Sequence, residues 1–109
     1  MDFQKQLFFL KTQQIKIEIN LGWKDNTLIL EGYDIGTTVE NFHGDSDYEY
    51  NITVKDAELE KLYHLNNVEV GQKLLLVETI AQKINGNKSY SEFQKYLKEN
   101  GIGYEAFTW

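Results

Sequence analysis

The chain contains no cysteine, no proline and no arginine. Without cysteine it can hold neither a disulfide framework nor a thiolate zinc site, a usage that fits a reducing cytosol without requiring one. Without proline, its turns must rest on glycine, asparagine and aspartate. All eleven basic residues are lysine, and the formal net charge is -6. Arginine is the usual bidentate reader of guanine and of phosphate oxygens, so its absence beside an acidic balance argues against direct nucleic-acid binding. Long apolar runs are missing too. The patch Leu7 to Leu10 covers only four residues, too short for the core of a signal peptide, and nothing approaches the roughly 20 apolar residues that a membrane span needs. The expectation is one soluble cytoplasmic domain, residues 1–109, able to bury a core with its 41% hydrophobic and 14% aromatic residues.

The charge that is present is unevenly spread. From Glu31 to Glu60 there are nine acids and a single base, Lys55, a balance of -8, while the rest of the chain sums to +2. A local negative field of that kind repels phosphate backbones and attracts basic partners.

The first half has the period of strands. In "QIKIEINL", Ile15, Ile17, Ile19 and Leu21 alternate with Lys16, Glu18 and Asn20, the pattern of one buried and one wet face. "QLFFLKT" reads as its partner or its beginning, "GWKDN" as a turn, and "TLILEGY" as a more continuously apolar, central strand. In "YEYNITV", Tyr48, Tyr50, Ile52 and Val54 share one face, and Glu49, Asn51 and Thr53 the other. The second half changes to a helical period. Asp56 is placed to cap a helix carrying Leu59, Leu62 and Tyr63 inward. A second helix turns Leu76, Val77, Ile80, Ala81 and Ile84 inward, with Gly86 as a left-handed terminator. In the third, Ser89 and Glu92 have capping-box spacing and Phe93, Tyr96 and Leu97 form the apolar stripe. The tail "IGYEAFTW" alternates and returns as a last strand. The order β-β-β-β-α-α-α-β predicts an α+β domain, an antiparallel sheet of four to five strands packed on one face by three helices.

Chemistry concentrates in "ENFHGDSDYEYNITV". Asp45, Asp47 and Glu49 open like a calcium loop, but its sixth position, which needs glycine, is Tyr50, and its twelfth is Asp56 rather than glutamate. A divalent-metal site or metal-dependent hydrolase centred on His43, Asp45, Asp47 and Glu49 is the alternative reading. It needs a second element to complete the shell, since strand residues two apart are separated by about 6.8 Å. His64 reads as a helix-end histidine facing terminal carbonyls. No nucleophile elbow and no phosphate-binding glycine loop is present, and Ser46, Ser89 and Ser91 sit in turn or cap contexts. What these residues build best is a surface without catalytic groups or a cofactor. Asp34, Glu40, Asp45, Asp47 and Glu49 supply negative charge, and Tyr33, Phe42 and His43 supply amphipathic contact area. A further alternative is a structural or regulatory domain that pairs through the edge of its first or last strand.

Gly32-Tyr33-Asp34-Ile35-Gly36, Gly44-Asp45-Ser46-Asp47-Tyr48-Glu49-Tyr50 and the aromatic end Tyr104 to Trp109 resemble segments that recur in small bacterial immunity proteins of polymorphic toxin or contact-dependent inhibition systems. The resemblance implies a non-enzymatic cytosolic protein that binds and neutralises a basic toxin domain, a nuclease being one such toxin, through its acidic surface.

Overall fold

The computed structural model describes residues 2–36 and 47–108. Four strands come first: β1 (Phe3–Lys11), β2 (Ile15–Lys24), β3 (Thr27–Gly36) and β4 (Asp47–Val54). Helices α1 (Ala57–Leu65), α2 (Lys73–Lys83) and α3 (Ser89–Glu99) follow, and β5 (Glu105–Thr108) ends the chain. The strands form one antiparallel sheet in the order β1-β2-β3-β4-β5, the α+β architecture that the change of period implied. The tail does return to the sheet, pairing Ile52 with Ala106 along β4.

Register explains which face is covered. Leu21, Leu30 and Ile52 align across β2, β3 and β4, as do Trp23, Leu28 and Val54, and all six are sealed from solvent. Against this face pack Leu62 of α1, Leu76 and Ile80 of α2, and Phe93 and Leu97 of α3, also fully buried. Burying each such side chain contributes about 1.5–3 kcal/mol, so this single layer supplies most of what holds the helices to the sheet.

Several local expectations are corrected. Trp23 and Lys24 belong to β2 rather than to a turn, and the hairpin closes through Asp25 and Asn26 alone, with Asp25 at φ 54. The indole of Trp23 is 1% exposed and donates to the Lys73 carbonyl at 3.0 Å. Asp56 stands at the N-cap of α1, but its side chain makes no capping hydrogen bond. Ser89 is the first residue of α3, and its hydroxyl donates back to the Gly86 carbonyl at 2.7 Å, so the capping box does not form. Gly86 does take the positive φ, 135, expected of a glycine that follows the helix, and its N–H donates to the Leu7 carbonyl at 3.1 Å. That bond ties the loop after α2 to the bulge of β1, where the register slips between Gln6 and Phe8. A bulge and a loop contact blunt an edge that would otherwise invite pairing.

Among the described residues no helix is long and apolar enough to cross a membrane.

Candidate functional site

Among the described residues no helix packs on the other face of the sheet, and register maps that face. Across β2, β3 and β4 one row reads Glu18, Tyr33, Glu49, and the next reads Asn20, Glu31, Asn51. Strand β1 extends these rows with Phe9 and Gln6, and β5 extends the second with Phe107. Glu31 therefore lies between two asparagines, with Glu18 and Glu49 on its diagonals, within reach of longer side chains.

Glu18, Asn20, Glu31, Tyr33 and Asn51 surround a hollow of about 410 Å³, and Gln4 of β1 lines it together with Glu49 of β4. In a flat sheet those strands stand about 14 Å apart, so the hollow spans the width of four strands. At Gly22, β1 passes close over this side of β2. A Cβ there would strike the Phe3 carbonyl oxygen and the Cα of Gln4, so only glycine lets β1 cross so close to β2.

The hollow is negative. Glu18 accepts a hydrogen bond from the Asn20 amide at 3.1 Å and lies 3.8 Å from Lys16, whereas neither Glu31 nor Glu49 forms an ion pair with a described lysine. Among the described residues no lysine lines the hollow. The Tyr33 hydroxyl donates to Asp47 at 3.2 Å. Desolvation first, then the Asp47 bond and the charges of Asp47 and Glu49, hold that phenol above its ordinary value. The Oδ1 atom of Asn51 is shut off from solvent and finds no donor among the described residues. Two exposed aromatics flank the acids, Phe9 at 46% and Phe107 at 54% exposure. Acids and aromatics so interleaved can meet cationic groups with both charge and contact area.

The sequence placed Tyr33, Asp34, Asp47 and Glu49 on one surface, and the structure divides them. Tyr33, Asp47 and Glu49 lie on the open face. Asp34, one residue further along β3, points to the helix side and accepts the Tyr50 hydroxyl at 3.0 Å. The acidic block from Glu31 to Glu60 is likewise split. Asp56, Glu58 and Glu60 sit at the start of α1, where Glu58 bonds Lys61 at 2.8 Å and the Gly103 N–H at 2.7 Å. The period of a strand turns neighbours apart, so charge clustered in sequence need not cluster in space. Glu40, Phe42, His43 and Asp45 lie outside the described residues, and with them two members of the alternative metal set. Among the described residues no group of three or more histidine or acidic side chains is placed to hold a metal ion.

Glu18, Glu31, Asn20 and Asn51 were not singled out as site residues. The alternation in "QIKIEINL" already put Glu18 and Asn20 on a wet face, but only pairing register brings them beside Glu31 and Glu49.

No protein-family model matches the chain, and neither a curated protein nor a solved structure shows detectable similarity to it.

Proposed function

We propose that this chain is a non-enzymatic binding protein of the immunity type, which captures a basic protein domain, such as the cationic cleft of a toxin, on the open face of its sheet. The observation that carries the reading is the meeting of Glu18, Glu31 and Glu49, from three adjacent strands, around one concave hollow whose described lining holds no lysine. Glu31 and Glu49 have no counter-charge among the described residues, and carboxylates so placed repel one another, which is the expected cost of a surface kept for a cationic partner. Tyr33 and Phe107 supply contact area at the centre and rim. The resemblance of the Gly32 to Gly36 and Gly44 to Tyr50 segments to immunity proteins supports the same class of partner.

The test takes the C-terminal domain of the reading frame immediately upstream as the candidate toxin and follows its association with this chain by interferometry at low and high salt. Replacing Glu18, Glu31 and Glu49 together by glutamine should leave the circular dichroism unchanged and slow association about tenfold at low salt, flattening its salt dependence. A triple variant that associates as fast and as tightly as the parent at every salt concentration overturns the assignment.

A further inference from the structure

A second recess lies on the helix side, at the far end of the sheet from Gly36 and Asp47. It has a volume of about 240 Å³ and opens between the β2–β3 hairpin, the start of α1 and the segment joining α1 to α2. Its floor is apolar. Trp23 and Tyr63 stack with ring centroids 6.3 Å apart, and Leu59 adjoins them. Val70 stands at the mouth, 62% exposed, the most exposed large hydrophobic side chain among the described residues.

Its rim is charged unequally. Asp56 and Glu60 line one part, and neither forms an ion pair among the described residues. Lys73 lines another, but its ammonium is already committed. It donates to the Asp25 carbonyl at 3.1 Å and to Asn26 Oδ1 at 3.0 Å, and it lies 5.1 Å from the centre of the Trp23 ring. An anion arriving here would meet two carboxylates and a single ammonium whose charge remains but whose donors already serve Asp25 and Asn26. A cation with an apolar stem would find an apolar floor for the stem and two unpaired acids for its head.

We propose that this recess is a docking site for a lysine side chain presented by a protein partner, its methylenes against Tyr63, Leu59 and Val70 and its ammonium between Asp56 and Glu60. The site is separate from the open-face hollow and does not depend on that reading.

The experiment is a two-dimensional amide NMR titration of the full chain with N-acetyl-lysine-methylamide, beside its neutral isostere N-acetyl-norleucine-methylamide. The lysine compound should give saturable shifts at the Gly71 amide, the Trp23 indole N–H and Val70. The norleucine compound should bind at least about tenfold more weakly, the penalty for leaving the acids without a cation. An Asp56→Asn/Glu60→Gln variant should lose a similar factor for lysine, and Lys73→Met should bind it as well as or better than the parent. No saturable shift at these three positions overturns the proposal. So does equal binding of the norleucine compound, or a lysine response confined to Glu18, Glu31 and Glu49. Weaker binding in Lys73→Met also overturns it, because it would mark the recess as an anion site.

Discussion

Asp56 is held at φ 57 and ψ -132, a combination in the half of the backbone map that side chains with a Cβ avoid. At the N-cap of a helix an aspartate is normally repaid by a bond from its carboxylate to a backbone N–H, yet this one makes none. Its strain is therefore uncompensated within α1. Asp56→Gly removes that strain and gives up no capping bond, and it should stabilise the fold by about 1 kcal/mol, less the entropy that glycine adds to the unfolded chain. Chemical denaturation measures the difference. A variant less stable than the parent would show that the carboxylate stabilises the fold in some other way. If Asp56 serves a lysine in the recess, the same variant should be more stable and bind less well. The sequence marked this residue as a helix start, and the position was legible. Its conformation was not, because nothing in "VKDAE" states that the chain must turn sharply out of β4 to reach the helix layer.

At the scale of elements, the link between β3, β4 and α3 is a chain of tyrosines and one carboxylate. Tyr50 donates to Asp34 and meets the Tyr90 ring of α3 edge-on at 5.0 Å. Gly32 opposite is required, since a Cβ there would land within the Tyr50 ring. Burial first, and then the Asp34 charge and hydrogen bond, push the Tyr50 phenol far above its ordinary value near 10. A group whose value is raised by folding stabilises the fold while it stays protonated. Its contribution is complete below the unfolded value and is lost as pH climbs past it. Stability should accordingly fall above pH of about 10, by up to about 1.4 kcal/mol per pH unit from this group. Tyr50→Phe should cost about 1 kcal/mol at neutral pH and show a shallower alkaline decline, read from melting temperatures at successive pH values. Parallel declines in the two proteins would mean that Tyr50 does not carry the effect.

This link also shows what was legible in the chain. The alternation in "YEYNITV" correctly put Tyr50 on the side of Ile52 and Val54, and the helical period of the second half gave the stripes that now fill the core. The pairing of Tyr50 with Gly32 depends on register, which sequence periodicity leaves free, and so did the separation of Tyr33 from Asp34. Trp23 was misplaced for a related reason. Gly22 looks like a turn signal, but it is a strand residue that lets β1 approach.

For the whole molecule the net charge of -6 matters less than where it gathers. Glu31 and Glu49 lie diagonally across β3 and β4, and neither has a lysine partner among those described. Like charges so placed on a sheet destabilise it by a few tenths of a kcal/mol. Glu31→Gln/Glu49→Gln should therefore stabilise the free protein by about 0.5 kcal/mol at low ionic strength, with Glu18 left alone because it has Lys16 and Asn20. The gain should disappear in 1 M salt, where the screening length falls to about 3 Å. The same double change should slow capture of a basic partner, so stability and binding move in opposite directions. Denaturation curves for both proteins at low and high salt decide the first half. If the double variant were less stable at low salt, the two carboxylates would be structural, holding the open face together through contacts of their own. The acidic hollow would then be a feature of the fold rather than a surface kept at a cost for another molecule.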